Sequence, residues 1–299
     1  MRIGIDIGGT KTEIAVLSED GEVRLRKRRP SPKNYQDCLI NLQSMINETE
    51  AEVGPAVSIG ICLPGAVSPD TGLIKNANTL YLNDRNVTAD LKTLLGREIK
   101  LVNDADAFAL SEATDGAAAG TRSCFAVIIG TGCGGGLVYQ KQLITGPNAI
   151  AGEWGHNPLP YYSVEKDGPI QDCYCGRQNC IETFLSGTGM AKRYREKVNL
   201  DAKTIPDAHA VMARFAAGEL SAIEHFQHYV NAMARALASV INIFDPEVVV
   251  LGGGMSNISE LYEHLPEEIS HYVFSDHLNT KIVPAQYGDS SGVRGAAWL

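Results

Sequence analysis

The chain alternates between two kinds of hydrophobic pattern. At the start, isoleucines alternate with Gly4 and Asp6 through 3–7, apolar residues fill 14–17, Gly8-Gly9 separates the two stretches, and Asp20-Gly21 follows. That pattern predicts three short strands joined by a glycine turn and a hairpin. Between 35 and 51 the period changes: Cys38, Leu39, Leu42, Met45 and Ile46 fall on one helical stripe. "VSIGICLPG" then predicts a buried strand ending in a Pro-Gly turn, "TADLKTLLG" a short helix closed by Gly96, and "IKLVND" another strand. "DADAFALSEATDGAAAG" predicts a helix starting at that strand's carboxyl end. From 124 the opening theme returns in "CFAVIIGTGCGGGLVYQKQLITG": strand, glycine-rich turn, strand, turn, strand. Further helices follow, the clearest at 219–244, stopped by Asp245-Pro246. "EVVVLGGG" is a strand running into three glycines, and "GDSSGVRGAAWL" a capped terminal helix. The expected fold is therefore α/β with a duplicated unit and ligand held between the halves.

Composition narrows this picture. The 299 residues are 44% hydrophobic, enough to build the cores of two domains. No apolar run reaches the roughly 18 residues a membrane span requires, and "MRIGIDIGGTKT" lacks the features of a signal peptide, so a soluble, cytoplasmic protein is expected. A net charge of -9 argues against nucleic acid as a partner. The one basic run, "RLRKRR" at 24–29, is taken as a solvated strand, with an anion or partner contact as the alternative.

Three strand ends run into glycine: "IDIGGTKT" (5–12), "IIGTGCGGG" (128–136) and "VVLGGGMS" (249–256). Glycine lets successive backbone N–H groups close on a phosphate, although strand-end glycines also make ordinary turns. Residues 130–135 satisfy G-x-G-x-x-G, but strand-like residues follow where a dinucleotide fingerprint opens a helix. "GGTKT" likewise lacks the spacing of a P-loop.

Seven cysteines without a leader do not suggest a disulfide framework; Cys38, Cys62 and Cys124 lie in apolar segments and are expected in the core. Cys173, Cys175 and Cys180 crowd into eight residues, "CYCGRQNC". With His156 they form an N1S3 set, the donor chemistry of structural zinc, while a redox role prefers the absent C-x-x-C.

"DIGGT" at 6–10 resembles the first phosphate loop of the actin, hexokinase and Hsp70 ATPase superfamily, "GTGCGGG" its second, and "LGGG" its adenosine loop. More narrowly, the chain resembles the ROK sugar kinases over essentially its full length. "AGEWGHNPLP", "CYCG…CIE", "LVNDAD" and "KNAN" are similar to the fructokinase or manno(fructo)kinase branch. The resemblance implies duplicated actin-like (ribonuclease H-like) domains with an interdomain cleft. The small domain is expected over 1–115 with a terminal helix at about 289–299, the large one over 116–288. ATP is expected against Asp6, Gly8, Gly9, Thr10, Lys11, Gly130, Thr131, Gly132, Gly134, Gly252, Gly253 and Gly254, with Asp6 holding Mg2+ through water. A hexose is expected against Gly65, Asn78, Asn103, Asp104, Glu153, His156 and Glu182, with Asp104 taking the proton from the 6-hydroxyl. For Asp104 and Asp106 the alternative is helix capping. Asn179 stands where the family usually has glycine, which suggests a left-handed backbone there.

The resemblance implies zinc on His156, Cys173, Cys175 and Cys180, orienting His156 and Glu182 toward the sugar and away from the phosphates. It also implies a homodimer. Fructose is the expected acceptor; mannose, glucose and N-acetylglucosamine are the alternatives. A sugar-responsive repressor of the same family is disfavoured, because the first loop begins five residues from Met1 and leaves no room for a helix-turn-helix. A non-catalytic ATP-binding scaffold is the third reading.

Overall fold

The computed structural model describes residues 1–299 apart from the side chain of Asp289. Contacts divide the chain into two compact units: Met1–Gly120, Gly136–Ala151 and Gln286–Leu299 form one, Thr121–Gly135 and Gly152–Ala285 the other.

The elements begin with β1 (Arg2–Ile7), β2 (Lys11–Leu17), β3 (Val23–Pro30), α1 (Tyr35–Val53) and β4 (Ser58–Leu63). A small ribbon, β5 (Ala66–Val67) and β6 (Ile74–Lys75), precedes α2 (Val87–Leu95), β7 (Lys100–Asn103) and α3 (Asp104–Thr114). The first sheet has the order β3-β2-β1-β4-β7, with β1, β4 and β7 parallel. Its core is the expected apolar set, with Ile3, Ile5, Ile61 and Leu42 at 0% exposure. Gly96 closes α2 in the left-handed conformation (φ 65°), as the sequence predicts.

The second series is β8 (Ser123–Ile129), β9 (Cys133–Tyr139) and β10 (Gln142–Leu143), followed by α4 (Val164–Asp167), α5 (Glu182–Leu185), α6 (Gly187–Val198), α7 (Ala208–Ala216) and α8 (Leu220–Phe244). Then come β11 (Val248–Gly252), α9 (Glu260–Ser270), β12 (Lys281–Pro284) and α10 (Ser291–Trp298). This sheet has the order β10-β9-β8-β11-β12, with β8, β11 and β12 parallel. The two sheets share one connectivity: an antiparallel meander of three strands, then two parallel strands added beside the first. That repeated order is the duplicated α/β unit expected from the sequence.

The terminal helix α10 is built into the first unit. A Cβ on Gly4 or Gly60 would meet the Val293 or Ala296 carbonyl oxygen at 2.0 and 1.9 Å, so the helix lies directly on β1 and β4. Gly295 makes the same close approach to Ala107 of α3, at 1.7 Å to its carbonyl. Glu112 of α3 is wholly buried and accepts from the Ser291 hydroxyl (2.8 Å) and the Gln286 N–H (3.0 Å). A buried carboxylate is tolerable when donors surround it, and here they come from the segment leading into α10.

The basic run is fully partnered. Strand alternation sends Arg26 and Arg28 of β3 to one face, where both pair with buried Glu13 of β2. Lys27 and Arg29 pair with Glu52 and Glu48 of α1. Among the described residues, no helix is long and apolar enough to cross a membrane.

Candidate functional site

The residues singled out from the sequence fall into two sets, one in each unit. In the first unit they gather at the carboxyl end of the parallel strands, where an open α/β sheet presents its ligand loops. Asp6 of β1 is in register with Cys62 of β4, and Cys62 with Val102 of β7. Asn103 ends β7, and Asp104 opens α3, exposed. Burial is the largest influence on the Asp6 carboxyl and pushes it up to about 6; a bond from the Cys62 thiol pulls it down, while the charges of Asp104 and Glu13 push it up again. Burial and those same two carboxylates, Asp6 and Asp104, hold the Cys62 thiol well above its ordinary range, so it stays protonated and can donate. Cys62 is buried in the core as expected, and its thiol in addition supports Asp6.

The glycine turn at 8–11 is braced from β3 onward. Gly8 N–H donates to the Lys11 carbonyl (2.9 Å), the Ser31 hydroxyl to the Gly8 carbonyl (2.6 Å), and Ser31 N–H to the Thr10 carbonyl (2.9 Å). Gly9, Thr10 and Lys11 are exposed. Helix capping, considered for Asp104 and Asp106, falls mainly to Asn103: its Oδ1 accepts from Ala105 N–H (2.8 Å). The Asn103 amide meanwhile donates to the Gly65 carbonyl (2.8 Å), and Ala105 N–H also reaches Asp104 Oδ1 (2.9 Å). Gly65 has φ 93° and no room for a Cβ against Lys75 and Ala77. Asn78 is exposed, and its neighbour Ala77 is held at both N–H and C=O by the Asn83 amide, each 2.9 Å. Asn76, two residues before Asn78, has the left-handed backbone of a turn residue (φ 58°).

In the second unit, the turn after β8 is closed by Gly130 N–H to the Gly132 carbonyl (3.0 Å). Gly187 N–H donates to Gly130 (2.7 Å) and the Thr188 hydroxyl to Thr131 (2.8 Å), both from the start of α6. Gly252 ends β11, and Gly253 turns at φ 79° tight against Ile129. Gly130, Thr131 and Gly254 line a pocket of ≈ 520 Å³ whose walls include Pro206, Met212 and Ile258. A glycine turn together with these apolar walls suits a nucleotide.

The GEWGH segment packs on β9. Trp154 Nε1–H donates to the Gly134 carbonyl (3.0 Å), its ring stands edge-on to Phe125, and Gly155 leaves no space over Cys133. This places His156 in a helical turn, with Glu153 exposed before it. His156 Nδ1 lies 3.7 Å from Cys173 Sγ, and Cys175 Sγ lies 3.6 Å from Cys180 Sγ. The donor atoms of His156, Cys173, Cys175 and Cys180 all lie within 4.8 Å of one another. Asn179 has φ 54°, the left-handed backbone its position suggests, and its Oδ1 accepts from Gln171 N–H (3.0 Å).

Two findings escaped the sequence. Glu182, expected to lie away from the phosphate loops, accepts from Cys133 N–H (2.9 Å), and a Cβ on Gly132 would lie 2.6 Å from its Oε2. The zinc-type knuckle is therefore tied through Glu182 to the second glycine turn. Tyr174, between the first two cysteines, bonds His156 Nε2 at 3.0 Å. Partial burial, then the charges of Glu182, Cys173 and Glu153, push its phenol up to about 12.

Two α/β units with glycine turns at the carboxyl ends of their parallel strands define a phosphate-handling protein of the actin-like class. A ROK hexokinase from Thermus thermophilus superposes with a TM-score of 0.87 at 28% identity, over 99% of this chain and 96% of its own. N-acetyl-D-glucosamine kinases are similar over the whole length: 38% identity for that of Pasteurella multocida and 36% for that of Vibrio parahaemolyticus, covering 100% of this chain and 99% of each relative. The ROK family matches residues 2–299, and the chain belongs to it.

Proposed function

We propose that this ROK-family sugar kinase transfers the γ-phosphoryl group of Mg-ATP to the 6-hydroxyl of N-acetyl-D-glucosamine. The observation that carries the chemistry is the placement of Asp6, Asp104 and the 8–11 turn together at the carboxyl end of β1, β4 and β7. Asp104 is the base: as the O6–phosphorus bond forms and the β,γ-bridging bond breaks, the hydroxyl proton passes to its carboxylate and ADP leaves. Asp6 would hold magnesium through water, and the metal would supply charge neutralisation for the phosphates; the Asp6 carboxyl is kept apart from Asp104 in role by deeper burial. Gly8, Gly9, Thr10 and Lys11 receive the phosphates in one unit. Gly130, Thr131, Gly132, Gly134 and residues 252–254 serve phosphate and adenosine in the other. Asn78, Asn103, Glu153, His156 and Glu182 supply acceptors and donors for sugar hydroxyls, and Gly65 the backbone that seats Asn103.

The full-length relatives named N-acetyl-D-glucosamine kinases support that acceptor and move it ahead of fructose. Zinc fits the knuckle: a tetrahedral site with metal–sulfur bonds of about 2.3 Å has ligand–ligand edges of about 3.8 Å. The 3.6 and 3.7 Å spacings of Cys175–Cys180 and Cys173–His156 match such edges and exceed a disulfide bond. Zinc on Nδ1 leaves Nε2 of His156 as an N–H donor with a fixed tautomer.

An ADP-release assay with N-acetylglucosamine, glucose, mannose and fructose tests this reading, run beside Asp104→Asn. The expected outcome is sugar-dependent ADP release highest in kcat/KM for N-acetylglucosamine, and a fall of about 10²–10⁴ in kcat for the variant. ADP release that ignores sugar, or an unimpaired variant, defeats the mechanism. A tenfold preference for fructose defeats only the choice of acceptor.

A further inference from the structure

We propose that Tyr174 is a substrate-selecting gate of the sugar site: its hydroxyl holds the His156 position that a sugar hydroxyl must take, and swings out when the sugar binds. This rests on His156 being a sugar contact.

The tyrosine is fixed at its backbone and loose at its side chain. Cys173 N–H donates to the Arg177 carbonyl (2.8 Å) and Gly176 N–H to the Cys173 carbonyl (3.0 Å), so the turn carrying Tyr174 is closed on both sides. The residue itself is 83% exposed. Among the described residues its hydroxyl has one hydrogen bond, to His156 Nε2, and its ring stands edge-on to the imidazole at 5.2 Å and 87°. The phenol is thus bonded to a group assigned to sugar hydroxyls, the His156 imidazole.

Nδ1 of His156 faces the thiols, so Nε2 is the nitrogen that meets ligand. A sugar hydroxyl arriving there replaces one oxygen acceptor with another. The count of hydrogen bonds at the imidazole is unchanged, and the freed phenol passes into water, close by for so exposed a side chain. What remains is a population term: the apparent affinity for sugar is reduced by the fraction of molecules in which the phenol is already away. One hydrogen bond of ordinary net strength makes that factor about twofold to tenfold. The ligand class is a neutral hexose that offers a hydroxyl to the imidazole and tolerates an aromatic ring beside it.

The experiment is steady-state kinetics of the full chain with N-acetylglucosamine, comparing the parent with Tyr174→Phe, and with Tyr174→Ala as a second variant lacking the ring. The expected result for Tyr174→Phe is a sugar KM about threefold to tenfold lower, with kcat, the KM for ATP and bound zinc within twofold of the parent. Tyr174→Ala shifts the sugar KM in the same direction. A sugar KM within twofold of the parent or above it in Tyr174→Phe overturns the gate, as does a loss of kcat beyond threefold, the mark of a group acting in the chemistry. If the parent itself turns over no hexose, the sugar-site reading has failed first and the gate falls with it. If it does turn over and KM stays put, only the gate fails.

Discussion

The two glycine turns are built on the same strand order and braced in opposite ways. The turn at 8–11 is held by one serine, Ser31, and leaves three of its residues exposed. The turn at 130–134 is gripped by Gly187, Thr188, Glu182 and Trp154, from three separate segments. Around the first lie the ionisable groups of the proposed chemistry, Asp6 and Asp104; around the second lie the knuckle and the large pocket. A duplicated scaffold has thus kept its strand order while its two turns are braced differently. In the proposed function the first unit supplies the base and the magnesium carboxylate, and both units supply phosphate and sugar contacts.

The largest expected effect comes from the better-braced half. Cys175→Ser removes one donor of a four-atom set, so bound zinc should drop from about one per chain to near zero. The thermal midpoint should fall by several degrees, and the sugar KM should rise at least tenfold through His156 and Glu182. Equal zinc content in variant and parent sinks the metal assignment, and the contrast between the units loses its basis.

The next effect sharpens the contrast from the other side. With its carboxyl raised to about 6, Asp6 carries a charge at neutral pH that costs the folded state stability, a cost relieved as pH falls through 6 toward the unfolded value near 3.8. Asp6→Asn should therefore raise the stability of the metal-free protein at pH 8 by on the order of 2 kcal/mol and leave that gain absent at pH 3.5. The same change should abolish productive magnesium use, and in the parent the apparent Mg2+ affinity should tighten as pH rises through about 6. Denaturant titrations at the two pH values, beside Mg2+ titration of activity, decide it; a variant no more stable at pH 8 shows that the burial of Asp6 carries no strain.

The smallest effect is at the brace. Ser31→Ala removes the bond to the Gly8 carbonyl and the one to the buried Thr12 hydroxyl (3.0 Å), each worth about 1 kcal/mol, and should raise the KM for ATP about twofold to tenfold at constant sugar KM. A change confined to the sugar KM would contradict the assignment of that turn to phosphate.

Local pattern carried most of the fold into the sequence. Glycines after apolar strands, the 3.6 stripe of α1, Gly96 behind α2 and the Asp245-Pro246 stop each act within a few residues, and each is visible by spacing. The knuckle was legible for the same reason: three of its donors sit in eight residues, and Asn179 tolerates the backbone they need. Contacts across long separations were not legible. The bond from Cys133 N–H to Glu182 spans 49 positions, and nothing near either residue announces the other. Cys62 looked like a core residue because its strand is apolar, and only the strand order β1-β4-β7 sets its thiol beside Asp6. The basic run is the solvated strand expected, and what the sequence did not show is that its partners Glu13, Glu48 and Glu52 lie on other elements. Tyr174 was passed over because the cysteines on either side claimed the motif.

The close seat of α10 on Gly4 and Gly60 has a temporal consequence. The ribosome makes β1 long before this helix, yet the sheet that carries Asp6 is covered only when both are present. The second unit, contained within residues 121–285, has all its strands and helices before that moment, and can fold while the tail is still in the exit tunnel. The unit that carries Asp6 is consequently the later to be completed.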